Sequence, residues 1–78
     1  MKLARLPVGI SERLVNMTET GMGYQVMRVT TRSGAVFNGV VVIDCTLIGS
    51  VDRNEEVPFD PDDIVSFELT HDRNAVVR

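Results

Sequence analysis

The sequence predicts an all-β fold, a small five-stranded barrel with a short amino-terminal helix or hairpin. Three observations predict this class. Segments rich in Val, Ile, Phe and Thr recur along the chain, and turn residues separate them at short intervals. One such segment contains a glycine, which weakens a strand unless the strand bends sharply. No repeat or linker divides the sequence, so residues 1–78 are expected to form a single domain.

The small size of the chain favours an assembly. A domain of 78 residues removes from water only about 60–65% of the surface that its unfolded chain exposes. The single cysteine excludes an intramolecular disulfide, and no cluster of histidines and cysteines offers a structural metal site. We therefore expect no cofactor, and we expect self-association to support the core.

The amino-terminal segment does not have the continuous apolar stretch of an export signal. The longest apolar run, residues 40–43, is far shorter than a membrane span. A single unpaired cysteine is typical of a reducing compartment. We expect a cytoplasmic protein with no membrane partner.

Residues 10–19 allow two interpretations. In the first, Ser11 caps a short helix, and the apolar residues of that helix lie on one face. Those residues are Ile10, Leu14 and Met17. In the second, residues 13–19 form a strand that a turn at residues 20–23 closes into a hairpin. The spacing favours the helix.

The other strands are predicted from composition and alternation. Residues 24–31 form one strand, residues 35–48 form a long one that Gly49 ends, and residues 50–57 form a polar turn or hairpin tip. Residues 64–70 alternate as a half-buried strand does. The residues expected on its buried face are Val65, Phe67 and Leu69.

Three residues have predicted structural roles. Gly34 follows Ser33 in a hairpin turn, where a positive φ costs little only for glycine. Gly39 lies inside a strand, at a place where a strongly curved sheet has to bend. Pro61 follows Asp60, and an aspartate at the N-cap with proline at the first helical position predicts a single helical turn.

Two groups of residues have side chains that can bind metals or act in catalysis. Asp60, Asp62 and Asp63 carry oxygen ligands that Ca²⁺ prefers, but they lack the spacing of an EF-hand loop, and capping accounts for them. A nucleophilic site would need Cys45 and His71, the single residues of their types. Free cysteines in apolar strands are commonly inert. We predict no metal site and no enzyme activity.

The charge is spread unevenly along the chain. Residues 1–39 carry a net charge of +3 and residues 40–78 carry −6. Opposite patches favour head-to-tail pairing of copies, and the alternative is that both are solvated faces. Because the net charge is −3, we expect no DNA partner. Tyr24, Arg28 and Arg32 nevertheless offer stacking and phosphate-binding groups to single-stranded RNA.

The spacing of the two glycines resembles that of the Sm-like proteins, and more broadly that of SH3-like small barrels. The matching residues are Val29, Gly34, Phe37, Gly39 and the run 40–43, followed by a last strand at 64–69. The resemblance implies a helix followed by five curved strands, and subunits that assemble into a ring. It places Asp44 near the acid with which RNA-binding members contact bases.

The chain departs from the RNA-binding pattern of that group at two places. Ile48 stands where those members have a base-contacting asparagine, and residues 60–63 place carboxylates where they have an arginine-glycine pair. Carboxylates repel phosphate, so the resemblance implies the barrel and the ring without the RNA site.

The predicted function is a non-enzymatic binding or assembly module that self-associates through β-strand edges, with residues 40–43 or 65–69 as the exposed edge. The alternative is an Sm-like RNA-binding ring subunit that uses Tyr24, Arg28, Arg32 and Asp44. The third interpretation is a small metal-binding or cysteine-dependent protein.

Overall fold

A computed structural model describes residues 4–76 as one antiparallel sheet with one short α-helix. The strands and helix are β1 (Ala4–Arg5), α1 (Val8–Val15), β2 (Tyr24–Thr31), β3 (Val36–Ile43), β4 (Leu47–Val51) and β5 (Ile64–Leu69), with single 3₁₀ turns at Pro61–Asp63 and Arg73–Ala75. The five strands lie in the order β1-β4-β3-β2-β5 and curl into a half-barrel. The small all-β class and the short helix are therefore confirmed.

The main core lies on one face of the curled sheet, under α1 and the segment that leads into the Pro61–Asp63 turn. Its buried side chains are Leu6, Leu14, Met27, Val29, Val40, Val42, Ile48 and Val51. The rings of Phe37 and Phe59 pack beside it with centroids 4.8 Å apart. A smaller cluster of Val26, Val41 and Ala75 lies on the opposite face, because neighbouring residues of a strand point to opposite sides.

Residues 10–19 begin inside a helix, as the favoured interpretation predicts, but the predicted cap is wrong. α1 begins at Val8, and the carbonyl oxygen of Pro7 accepts the first hydrogen bonds of the helix. Proline suits this place because a helix start leaves the N–H of its first residues unbonded. Ser11 lies inside the helix, and Leu14 is fully buried against the sheet. No helix of residues 4–76 is long and apolar enough to span a membrane.

The predicted strand over residues 35–48 is wrong as a single element, because the chain reverses at Asp44 and Cys45. Both residues have a positive φ, +52° and +62°, which gives the tight turn between β3 and β4. Such left-handed pairs ordinarily contain glycine or asparagine, so the sequence carries no glycine signal for this turn. Gly49, predicted to end a strand, lies inside β4.

Gly39 lies in a β-bulge of β3. Two residues, Asn38 and Gly39, oppose the single Arg28 of β2. The φ of Gly39 is +63°, and its carbonyl oxygen accepts a hydrogen bond from Asp52 N at 3.0 Å. A Cβ at this position would lie 3.1 Å from the Cβ of Ala75. The position therefore combines a left-handed backbone with a close approach of two other segments.

β5 carries a second irregularity, which makes the predicted burial of Val65 wrong. Thr30 pairs with Ser66 but Thr31 pairs with Ile64, so Val65 is the extra residue of a bulge. Ile64 packs against the core in its place, and the Val65 side chain is 58% exposed. Phe67 and Leu69 pack against the core as predicted.

Replacing Gly39 with alanine is expected to destabilise the fold more than the same change at Gly34. Both glycines have a positive φ, +63° and +87°, which strains any L side chain. Only the Cβ at Gly39 would also press on other atoms, whereas no atom lies within 4 Å at Gly34. We expect urea denaturation to give a loss of about 2–3 kcal/mol for G39A and about 1 kcal/mol for G34A.

Equal losses for the two variants would contradict this account. They would mean that the left-handed backbone alone requires glycine at position 39, and that the approach of Ala75 and Asp52 adds nothing.

Candidate functional site

Three of the four residues predicted to contact RNA lie on β2 or directly after it. Tyr24 and Arg28 lie on the face opposite the core, and Arg32 follows the end of the strand. The Tyr24 ring lies directly against Gly21, which has no side chain to obstruct it, and it packs beside the smaller apolar cluster. Asp44 lies in the turn after β3, at the same end of the sheet as Tyr24. Tyr24 thus has a packing role, and the arginines lie farther along the strand.

Both arginines of this set are engaged by carboxylates. Arg28 forms an ion pair with Glu68, which lies directly opposite it on β5. Arg32 Nε lies 3.7 Å from Asp63 Oδ1, and its Nη2 donates a hydrogen bond to the Asp62 carbonyl oxygen at 3.4 Å. Exposed pairs of this kind contribute about 0–1 kcal/mol each. A phosphate would have to compete with a carboxylate at each guanidinium.

Cys45 lies in an acidic setting. Its thiol donates a hydrogen bond to Gln25 Oε1 at 3.4 Å. Burial raises the pKa of the Cys45 thiol, and the charges of Glu19 and Asp44 raise it further. His71 is bonded elsewhere, to the hydroxyl of Thr20. The local environment therefore favours the neutral thiol, which is a poor nucleophile and a poor metal ligand.

The aspartates before β5 cap a helical turn. Asp60 accepts a hydrogen bond from Asp62 N at 3.0 Å, and Pro61 is the first residue of the 3₁₀ turn. Asp63 faces Arg32. Within residues 4–76, no three His, Cys, Asp or Glu side chains are grouped so that they could hold a metal ion. The arrangement is that of an N-cap beside an ion pair.

Gln25 connects α1 to the sheet, a role that the sequence reasoning missed. The side chain is fully buried, and its Nε2 lies 3.1 Å from the carbonyl oxygen of Leu14, with those of Met17 and Thr18 at 3.3 and 3.4 Å. These carbonyls belong to the end of the helix and the residues after it, where intrahelical donors are lacking. A glutamine at an inward position of a strand was the available signal, because a buried amide needs partners.

A second buried polar group connects the end of β5 to the segment before β2. The Thr20 hydroxyl accepts a hydrogen bond from Val26 N at 2.9 Å and lies 2.7 Å from His71 Nδ1. Arg73 donates to the Thr20 carbonyl oxygen. These contacts place the chain after β5 against the body of the domain, and they account for the partners of His71.

β5 forms an edge of the sheet over its whole length, because within residues 4–76 it pairs with β2 alone. The hydrogen bond from Thr70 N to Val26 O shows which residues of β5 direct their backbone groups toward β2. Hydrogen-bonded and non-hydrogen-bonded pairs alternate in antiparallel strands, so the backbone groups of Phe67 and Leu69 point away from β2. Residues 40–43, the other predicted edge, lie in β3 between β2 and β4, so that prediction is wrong.

On the opposite side of the sheet the edge strand is the two-residue β1, and β4 beside it is covered at both ends. β1 pairs with Leu47 and Ile48, and a turn at Asp52 and Arg53 brings Asn54 back to bond both backbone groups of Val51. The predicted polar tip is therefore present, although its first two residues belong to β4. The two edges of the sheet differ, since β4 is shielded by its own chain and β5 is exposed.

None of the protein-family models, curated proteins or solved structures compared with the chain matches it.

Replacing Gln25 with methionine is expected to destabilise the domain by about 1–3 kcal/mol, because the carbonyls of Met17 and Thr18 lose the amide donor and that of Leu14 keeps only Met17 N, while the volume stays similar. Urea denaturation followed by circular dichroism measures the change. Cys45→Ser is the matched control, because a serine hydroxyl still donates to Gln25 Oε1. A loss as large for C45S as for Q25M would contradict the assignment of the stabilisation to the helix carbonyls.

The thiol of Cys45 is expected to react with iodoacetamide more slowly in the folded protein than in urea at about pH 8, because its raised pKa keeps it protonated. The folded state holds this proton more tightly than the unfolded chain. Its contribution to stability is therefore present below the unfolded pKa and is lost as the pH rises through the folded value. Glu19→Gln removes one of the raising charges and should speed the reaction. Faster labelling of the folded parent would contradict the assignment.

Proposed function

We propose that this chain is a non-enzymatic binding or assembly module that self-associates through the edge of β5. The proposed type of domain is a small barrel of the SH3-like or Sm-like kind. Support for that type comes from the helix before the sheet, the glycines with positive φ at positions 34 and 39, and the 3₁₀ turn that leads into the last strand.

The observation that carries the proposal is the exposed edge of β5. A six-residue strand whose outer side has no partner among residues 4–76 offers backbone donors and acceptors to another chain. The Val65 side chain beside it is exposed, which adds apolar surface to the hydrogen-bonding edge. A domain of 78 residues also has a small core, so pairing would add stability that the single chain lacks.

RNA binding and enzyme chemistry have less support. Arg28 and Arg32 each have a carboxylate partner, and Tyr24 packs against its own chain. Cys45 and His71 bond to different residues, Gln25 and Thr20. Self-association needs no such constellation, since backbone groups supply the contact.

The experiment is the absolute mass in solution, measured by light scattering on a sizing column at low and high salt for the parent and two variants. Val65→Lys puts a charge beside the exposed edge, a device by which natural sheets block pairing. We expect the parent to exceed the monomer mass at both salts, and V65K to weaken association by about tenfold or more.

Val8→Lys is the matched control, because Val8 is 72% exposed and lies at the start of α1, outside every strand. V8K should associate as the parent does. A parent that is monomeric at both salts, or equal losses in V65K and V8K, would overturn the proposal.

A further inference from the structure

We infer that the partner of β5 is β5 of a second copy, paired antiparallel about a two-fold axis at Phe67. The inference rests on the proposed self-association and names its geometry. It predicts a closed dimer, where the family resemblance implies a ring.

The difference between the two edges favours a dimer. A ring joins two different surfaces of each subunit, whereas a two-fold dimer uses the same surface twice. A ring built by strand pairing would need an exposed edge on β4 as well as on β5. β1 and Asn54 occupy the two ends of the β4 edge, and they leave only Gly49 and Ser50 between them. Within residues 4–76 the outer side of β1 spans two residues and that of β5 spans six, so the long edge available for pairing with a copy is β5 itself.

Charge fixes the direction of pairing. The start of β5 is preceded by three carboxylates, Asp60, Asp62 and Asp63. The other end is followed by His71, Asp72 and Arg73, a segment that is close to neutral. Parallel pairing would bring the two acidic ends together. Antiparallel pairing places each acidic end beside the end that carries Arg73, which is the arrangement that electrostatics favours.

The outward backbone groups limit the register. Phe67 opposes Phe67, Leu69 or Val65 of the second copy, because these residues alternate along the outer side of β5. Opposing Val65 would put the bulge of each copy next to the axis and interrupt the ladder at its centre, which leaves the other two choices. The second choice centres the axis on Glu68 and brings two Glu68 side chains together, which is destabilising. The first choice centres the axis on Phe67. It places Val65 opposite Leu69 of the second copy, and Ser66 opposite Glu68.

The side chains of this register are compatible with pairing. Phe67 lies on the core face of β5 and packs against the core of its own copy. The register therefore makes the core faces of the two sheets continuous at the axis. Ser66 and Glu68 lie on the other face, where Glu68 already has Arg28 as its partner. In this register each Glu68 faces Ser66 of the second copy and not a second carboxylate.

Disulfide crosslinking tests the register directly. In a Cys45→Ser background, which leaves the chain without its single native cysteine, Ser66→Cys and Glu68→Cys are prepared separately and then mixed. The two positions form a non-hydrogen-bonded pair with Cα atoms about 4.5 Å apart, a separation that a disulfide can bridge. On mild oxidation, we expect the mixed S66C–E68C dimer to exceed each homodimer by about fivefold, read from the intact masses.

The other outcomes overturn the inference. Efficient S66C homodimers would centre the axis on Ser66, and efficient E68C homodimers would centre it on Glu68. Absence of all crosslinks in a protein whose parent mass is dimeric would assign the contact to another surface. C45S alone, which has no cysteine, shows whether the background keeps the parent mass.

The parent mass separates this inference from the proposed function. A ring of several subunits that V65K weakens leaves the self-association module standing and overturns the two-fold dimer. A monomer overturns both. A dimer that V65K weakens, together with the mixed crosslink, supports both.

Discussion

The bulge at Gly39 determines how the sheet curls, and most of the remaining contacts depend on it. A residue with a left-handed backbone in the middle of β3 bends the strand. The two halves of β3 therefore pack against different parts of the domain. The first half carries Phe37 to the Phe59 ring, and the second half is buried between β2 and β4. The absent side chain leaves space that Ala75 and Asp52 occupy, so the segment after β5 and the tip after β4 both pack at this point.

The parts of the fold that the sequence predicted are those where composition and period act locally. β2 and β5 appear close to their predicted bounds, and a 3₁₀ turn begins at Pro61. The errors occur where tertiary contacts decide. The reversal at Asp44 has no glycine to mark it, and the exposure of Val65 follows from a register shift against β2 that a single strand's alternation does not contain. The role of Gln25 depends on where α1 ends in space, which no local pattern specifies.

The charge asymmetry between the two halves of the chain is partly used within the domain. Arg28 and Arg32 belong to the positive half, and their partners Glu68 and Asp63 belong to the negative half. Arg13, also from the positive half, lies over the Phe67 ring with its guanidinium carbon 4.6 Å from the centroid. Each of these contacts draws β5 and the turn before it toward β2 and α1. Charges engaged in this way contribute less to head-to-tail pairing of copies.

The two edges of the sheet differ in how they are protected against pairing with another chain. Natural sheets blunt their edges with short strands, bulges, charges or covering segments. The β4 edge has three of these devices, a two-residue β1, the returning Asn54 and a bulge at Gly49. β5 has a bulge at Val65 and a charge at Glu68, but the bulge lies near one end, and the charge is engaged by Arg28. The outward groups of Phe67 and Leu69 remain between these features. A chain that only had to avoid pairing would protect both edges, so the unequal protection of the two edges supports the proposed pairing at β5.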